Sequence, residues 1–141
     1  MSEWIKVKGR LEIIGGNVRI ILPLDLIKYY QTLVDKHFKM FTHLPAHGAH
    51  ITIASEKLHK NVKRTSLAYA RNTFGGKPLE IEYNPEIIVG GWTKDFKNFY
   101  MKTRGEVLEQ LKRILEVDTP SDRFHCTICN TKGGVRPYIL K

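Results

Sequence analysis

The sequence predicts a single domain, residues 1–141, that combines β-strands with α-helices. Three observations support this class. A chain of 141 residues falls within the usual size of one domain, and it contains no low-complexity tract or long linker that would divide it. Its composition, 42% hydrophobic and 26% charged, is typical of a globular protein with a core. Short β-branched runs are interspersed with segments whose apolar residues recur every three or four positions.

The first half of the chain predicts a β-hairpin, a helix and a strand. Residues 4–14 and 17–22 favour strands on either side of Gly15-Gly16, a pair that accepts positive φ and so permits a tight turn. A helix is predicted from residue 26 to near residue 40, with one apolar face formed by Ile27, Tyr30, Val34, Phe38 and Phe41. Residues 50–54 are too few for a helix and rich in β-branched side chains, which predicts a strand.

The second half predicts a further helix and several strands. Residues 57–72 are interpreted as a helix that ends before Gly75-Gly76 and Pro78 and turns four residues inward: Leu58, Val62, Thr65 and Tyr69. On this helix the cations Lys57, Lys60, Arg64 and Arg71 would share one face. Interrupted strands are then predicted over residues 79–83, 87–89 and 98–102.

The segment Thr103-Arg104-Gly105-Glu106 has the form of a capping box and predicts the start of a third helix, because its hydroxyl and carboxylate can satisfy exposed amides. We expect Glu109 and Arg113 to pair on the outer side of this helix, which ends by Thr119-Pro120. Its apolar face would consist of Val107, Leu108, Leu111, Ile114 and Leu115. A last strand over residues 123–130 and an edge segment over residues 136–140 complete the prediction.

Charge and composition limit the functional classes. The chain has 23 Lys and Arg against 14 Asp and Glu, a net charge of +9, so its field attracts polyanions such as nucleic acids and nucleotides. Two cysteines are too few for a disulfide framework and fit a reducing compartment. The longest stretch without a polar side chain is Ile20–Leu24, far below the roughly 18 residues that a membrane helix needs. We therefore expect a soluble cytoplasmic protein with no membrane partner.

Two predicted strands share one four-residue pattern: His, an apolar residue, Thr and a second apolar residue. The copies are His50-Ile51-Thr52-Ile53 and His125-Cys126-Thr127-Ile128. Because side chains alternate across a strand, the His and Thr of each copy face one side and the apolar residues face the core. A single copy is more often a surface pair that occurs by chance, whereas the duplication in matching strand context favours a functional site.

The residue types in this pattern suit phosphodiester chemistry. Histidine has an ordinary pKa of about 6.5, so it can donate or accept a proton near neutral pH. Two histidines that face a common groove can act as general base and general acid, while a threonine hydroxyl donates to a non-bridging phosphate oxygen. The predicted catalytic residues are His50, Thr52, His125 and Thr127, and this set requires no metal and no cofactor.

At these residues the chain resembles the two-histidine phosphoesterase superfamily, whose members carry two His-x-[Thr/Ser] motifs on strands of two similar lobes. The order of strands and helices around the motifs is similar along most of the chain. The resemblance implies an α+β fold with two pseudo-symmetric antiparallel sheets around a central groove and helices outside. It also implies that His50 and His125 are the acid/base pair and that Thr52 and Thr127 bind phosphate. It does not assign the acid or the base.

The resemblance implies a nucleotide substrate. Members include RNA end-processing phosphodiesterases, 2′,5′-RNA ligases, 2′,5′-oligoadenylate hydrolases and small phage enzymes that destroy the cyclic oligonucleotide signals of bacterial anti-phage (CBASS) immunity. The compact length and the lack of appended domains look similar to the phage group. We therefore expect cleavage of 3′,5′ bonds in cyclic oligonucleotides, in the host cytoplasm if the chain is phage-encoded. The alternative enzymatic reading is an RNA 2′,3′-cyclic phosphodiesterase or a 2′,5′-RNA ligase-like enzyme that acts on short RNA.

Other readings of the same region stay open. Cys126-x-x-Cys129, with His43, His47 and His50 in the preceding sequence, is formally compatible with zinc. In an extended strand, however, positions three apart point to opposite faces, so the two thiols would diverge. A binding module without catalysis would leave the duplicated motif a coincidence and would bind polyanions through exposed cations, with an affinity that falls as salt rises.

Three residues outside the motifs are candidates for substrate binding. Trp92 follows Gly90-Gly91 at the end of a predicted strand, where its indole can stack on a nucleobase. Arg136 and Tyr138 follow the second motif and can reach a phosphate or a base of the ligand. Each also has a purely structural reading, as a hydrophobic plug for Trp92 and as part of an edge strand for the other two.

Overall fold

Strands are interspersed with helices along the chain in the computed structural model. The structure describes residues 3–93 and 96–131, without the side chains of residues 91–96. The helices of this part are α1 (Leu24–Phe38), α2 (Arg64–Phe74) and α3 (Glu106–Leu115), with a 3-10 helix at Ser121–Arg123. The strands are β1 (Ile5–Ile14), β2 (Asn17–Ile21), β3 (His50–Ala54), β4 (Leu79–Tyr83), β5 (Ile88–Thr93), β6 (Phe96–Arg104) and β7 (His125–Asn130). The α+β class is therefore confirmed.

The described strands form one antiparallel sheet in the order β4-β1-β2-β3-β7-β6-β5. An additional pairing between β4 and β6 closes six of these strands into a ring, and β5 continues beyond β6. β1 changes partner near its middle, since Ile5–Gly9 pairs with β4 and Arg10–Ile14 pairs with β2. The two strands that carry the duplicated motif, β3 and β7, lie side by side in this order.

The core lies between the apolar side of the sheet and the helices. Ile51, Ile53 and Phe99 of the strands are buried, as are Val107, Leu108, Leu111 and Leu115 of α3. α3 contacts β3, β4 and α2, while α1 contacts β7. In α1, Ile27, Tyr30 and Val34 are buried as predicted, whereas Phe38 at the end of the helix is 42% exposed and Phe41, beyond the helix, is 57% exposed.

The hairpin, α1, β3 and β4 agree with the sequence prediction, and Gly15 has the positive φ of +60° expected in the hairpin turn. The prediction for residues 57–72 is wrong at its start, because α2 begins only at Arg64. Before it, the Ser55 hydroxyl accepts the Leu58 N–H, and the Ser55 carbonyl accepts the His59 N–H, which forms a separate turn. Leu58, expected inward, is 77% exposed.

That shift also removes the shared cationic face. Lys57 and Lys60 precede α2, so they do not lie on one helical face with Arg64 and Arg71. Of the other residues expected to point inward, Tyr69 is 60% exposed.

The predicted capping box is also wrong. Thr103 belongs to β6 and is buried, and α3 begins after Gly105 with no side-chain cap. Arg113 pairs with Glu106 at 3.6 Å, while Glu109 accepts a hydrogen bond from the Ser121 hydroxyl. The helix ends at Leu115, where Glu116 takes a left-handed conformation with φ of 56°. The edge segment predicted over residues 136–140 lies outside the described residues.

Candidate active site

The two His-x-Thr motifs meet across neighbouring strands. Ile51 of β3 pairs with Cys126 of β7 in antiparallel register, and both side chains are buried. Continuing that register by one residue in each direction places His50 opposite Thr127 and Thr52 opposite His125. Because side chains alternate across a strand, all four point away from the core. The two histidines are then diagonal neighbours, with backbone positions about 7–8 Å apart.

Both motifs have the same irregularity directly after the threonine. In β3, Thr52 pairs with Arg19 and Ala54 pairs with Val18, so Ile53 is an extra residue. In β7, Thr127 pairs with Tyr100 and Cys129 pairs with Phe99, so Ile128 is the extra residue. These are β-bulges, which place two successive residues of each strand in the core: Ile53 with Ala54, and Ile128 with Cys129. The two copies therefore match in backbone geometry as well as in sequence.

The two histidine rings are held by equivalent hydrogen bonds. Nδ1 of His50 lies 3.0 Å from the carbonyl oxygen of Gly48, and Nδ1 of His125 lies 2.8 Å from that of Arg123. Each carbonyl belongs to the residue two positions before the histidine. Since a carbonyl oxygen only accepts, each Nδ1 carries the proton, and Nε2 of each neutral ring is an acceptor.

His50 and His125 differ in their surroundings. His50 is half-buried, whereas His125 is exposed. Burial lowers the pKa of His50 below its ordinary value, and the hydrogen bond to Gly48 acts in the opposite direction. The charge of Arg19 lowers the pKa of His50 further, as does repulsion from the His47 and His125 rings in their charged form. His50 is therefore neutral, with a free acceptor at Nε2, over a wider pH range than an ordinary histidine.

Arg19 is a site residue that the sequence analysis missed. It pairs with Thr52 across β2 and β3, on the side of the sheet opposite the buried Val18 and Ile20. Its guanidinium lies 3.5 Å from the carboxylate of Glu12, and its side chain is only 17% exposed. The alternation within residues 17–21 indicated its side of the strand, but its position beside the motif depends on the pairing of β2 with β3.

Tyr100 and Lys102 of β6 were missed for the same reason. They pair with Thr127 and His125, respectively, across β6 and β7. The Tyr100 and His125 rings have centroids 5.2 Å apart in an edge-on arrangement. Together with Arg19, Lys102 places positive charge on both sides of the four motif residues, which suits a phosphate group between them.

His47 also lies beside the site, since its ring centroid is 6.2 Å from that of His50. The proposed substrate-binding residues are less well placed. The backbone of Trp92 lies in β5, at the edge of the sheet, and its side chain is outside the described part. Arg136 and Tyr138 lie outside the described residues.

The cysteine geometry differs from the prediction. The bulge at Ile128 returns Cys129 to the core side of β7, so Cys126 and Cys129 do not point to opposite faces and both are buried. Burial raises the pKa of the Cys126 thiol to about 12 and that of the Cys129 thiol to about 11. Within residues 3–93 and 96–131, no group of three or more His, Cys, Asp or Glu side chains is placed to hold a metal ion.

Comparisons with protein-family models, with curated proteins and with solved structures found no match to this chain. Among the helices of the described part, none has the length and apolar character required to cross a membrane. The geometry of the four motif residues and their neighbours is therefore the basis for a functional proposal.

Proposed function

We propose that this protein is a metal-independent phosphodiesterase of the two-histidine phosphoesterase type, acting on nucleotide phosphodiester bonds. The observation that carries the proposal is the matched pair of histidines, each with Nδ1 hydrogen-bonded to the carbonyl two residues earlier. With Nδ1 engaged in this way, Nε2 of each neutral ring is left as the acceptor, and Thr52 and Thr127 lie on the same side of their strands as the histidines. An acid, a base and two hydrogen-bond donors are the groups that phosphodiester cleavage requires.

His50 is the general base and His125 the general acid in this proposal. The lowered pKa of His50 keeps its Nε2 unprotonated, so it accepts the proton of a ribose 2′-hydroxyl. The 2′-oxygen then bonds to phosphorus, and the bond from phosphorus to the 5′-oxygen breaks. His125, protonated on both nitrogens, gives its Nε2 proton to the departing 5′-oxygen. The products are a 2′,3′-cyclic phosphate and a free 5′-hydroxyl, and proton exchange with water resets both rings.

Thr52, Thr127 and Arg19 stabilise the charge on phosphorus in this mechanism. In this proposal a phosphate lies among the four residues and accepts from both threonine hydroxyls, because each threonine lies opposite a histidine of the other motif. Arg19 pairs with Thr52 and carries the charge that a non-bridging oxygen attracts. Fixed donors aimed at developing negative charge are among the largest contributions to catalysis.

Cyclic oligonucleotides with 3′,5′ linkages are the proposed substrate class. The net charge of +9 favours polyanions, and the resemblance to small phage enzymes favours cyclic signalling molecules over long RNA. In this proposal the biological role is the destruction of CBASS signals. Cleavage of short RNA or of 2′,3′-cyclic phosphates uses the same four residues and is the competing enzymatic outcome.

The test is a chromatographic assay in excess EDTA with cyclic di- and trinucleotides, 2′,3′-cyclic mononucleotides and short RNA. The same panel is run with the His50→Ala/His125→Ala double variant. We expect a cyclic oligonucleotide to be cut fastest, and a version without the 2′-hydroxyl to resist cleavage. Cleavage of the deoxy version at the same rate would show that water, and not the 2′-hydroxyl, is the nucleophile.

Two other results would overturn the proposal. Activity that appears only with added zinc favours a metal enzyme. Binding of the panel ligands without cleavage, unchanged in the double variant, favours a binding module.

A further inference from the structure

A cavity of about 850 Å³ lies beside β1, away from the four motif residues. Its lining includes Lys8, Arg10 and Glu12 of β1 and Lys77 of the turn between α2 and β4. The three cations are exposed, whereas Gly9 is buried and Leu11 packs against the core. The alternation along β1 therefore places Lys8, Arg10 and Glu12 together on the polar side of the strand.

One row of paired residues links the lining of the cavity to the candidate active site. Arg10 pairs with Ile21 across β1 and β2, and Ile21 pairs with His50 across β2 and β3. Ile21 also lines the cavity. Neighbouring strands are about 4.8 Å apart, so the backbone of Arg10 lies about 10 Å from that of His50. The long side chains of arginine and lysine shorten the distance to a ligand held at His50.

The charge of the cavity is positive after its acidic residue is counted. Lys8, Arg10 and Lys77 outnumber the single carboxylate of the lining, Glu12, which also lies 3.5 Å from the guanidinium of Arg19. Lys8 lies opposite Glu80, which forms its own ion pair with Lys6 at 3.9 Å. Arg10 and Lys77 have no acidic partner among the described residues. Three cations in a concave surface provide a site for an anionic group such as a phosphate.

We propose that this cavity binds a second phosphate of the substrate, one nucleotide away from the phosphate that lies among the two histidines and two threonines. The inference rests on the proposed function and narrows it to substrates with at least two phosphodiesters. A cyclic dinucleotide carries its second phosphate across the ring, and a linear trinucleotide carries it along the chain. A dinucleoside monophosphate has the same bond to be cleaved but no second phosphate.

The test compares two substrates with the same bases: the cyclic dinucleotide that is cut fastest in the panel, and the linear dinucleoside monophosphate. The variant is Lys8→Gln/Arg10→Gln/Lys77→Gln. The control, Lys57→Gln/Lys60→Gln/Arg64→Gln, removes the same charge from exposed residues outside the cavity. We expect the first variant to raise KM for the cyclic substrate about tenfold, with a weaker salt dependence, and to leave KM for the linear substrate unchanged. A linear trinucleotide shows whether the second phosphate must be in a ring.

Equal changes for both substrates, or no difference between the variant and its control, would overturn the inference. Failure of the catalytic proposal is separated by measuring Kd of each cyclic dinucleotide of the panel in the His50→Ala/His125→Ala background by calorimetry. Suppose that the wild-type protein cleaves no substrate of the panel, yet the three substitutions in the cavity still weaken this binding about tenfold. The phosphate site then stands, and the catalytic proposal fails. If no cyclic dinucleotide binds the wild-type chain, the inference fails.

Discussion

Ile51 of β3 lies opposite Cys126 of β7 in antiparallel register, and both side chains are buried in the core. This one pairing fixes the arrangement of the four polar residues around it. His50 comes to lie opposite Thr127, and Thr52 comes to lie opposite His125. A shift of one residue in register would turn the polar residues of one strand toward the core. The buried pair therefore determines the geometry on which the proposed chemistry depends.

The threonine hydroxyls are expected to contribute equally to catalysis, because the two motifs have the same geometry. We expect Thr52→Val and Thr127→Val each to lower kcat about 100-fold, as when one donor to a developing oxyanion is removed. Thr32→Val is the matched control, since its hydroxyl donates to the Lys28 carbonyl on α1. Steady-state kinetics on one substrate checks all three variants. An unchanged kcat in either motif variant would contradict a phosphate role for that threonine.

The pKa of His50 is expected to lie below 6.5, because burial disfavours its charged form. In an NMR titration its midpoint should fall below that of an ordinary histidine, and the acidic limb of kcat/KM should follow it. Arg19→Gln removes one of the charges that lower the pKa, so the midpoint should move to higher pH. Lys28→Gln on α1 should leave it in place. A midpoint at or above 6.5 in the wild-type protein would contradict His50 as the base.

The tautomers of three histidines are expected to differ. Nδ1 of His50 and of His125 each face a carbonyl oxygen, so both neutral rings should carry the proton on Nδ1. His59 is the internal contrast, because its Nδ1 accepts the Ser55 N–H and its proton must therefore lie on Nε2. Long-range nitrogen-15 NMR at a pH where the rings are neutral distinguishes the two forms. An Nε2 proton on neutral His50 would remove the acceptor that the mechanism requires.

The absence of a side chain at Gly9 is expected to permit the close approach of β1 to β2. A Cβ at this position would lie 2.7 Å from both Ile20 Cγ2 and the Ile21 carbonyl oxygen. We expect Gly9→Ala to lower the free energy of unfolding by about 1–3 kcal/mol through overpacking. At Gly90 the nearest atom to such a Cβ is a ring carbon of Tyr100 at 3.4 Å, so Gly90→Ala should change stability by less than about 1 kcal/mol. Urea unfolding measures both, and equal stability of the two variants would contradict this packing.

Local patterns in the sequence predicted the elements whose structure depends on near neighbours. The alternation in His50–Ala54, the glycine pair of the hairpin and the helical spacing of α1 each contain their own signal. The predicted start of the second helix was wrong, because the side chain and backbone of Ser55 form a competing turn before Arg64. The predicted capping box does not form, because Thr103 is part of β6, where it pairs with Tyr83, and its N–H donates to the carbonyl of Phe124.

The motif residues could be identified from sequence, whereas their neighbours could not. Arg19 and Tyr100 become site residues only through the pairing of β2 with β3 and of β6 with β7. The bulges at Ile53 and Ile128 likewise depend on cross-strand register, which explains why Cys129 was placed on the wrong side of β7. Sequence spacing within one strand does not contain this information.

The most direct test of the central claim is kcat/KM for His50→Ala and His125→Ala, measured separately in excess EDTA on the substrate that wild type cuts fastest. His37→Ala is the control, since His37 is an exposed residue of α1 and belongs to neither motif strand. Loss of general acid or base catalysis should lower kcat/KM by about 10²–10⁴ in each motif variant and leave the control unchanged. A motif variant with wild-type kcat/KM and an intact fold would contradict the two-histidine mechanism.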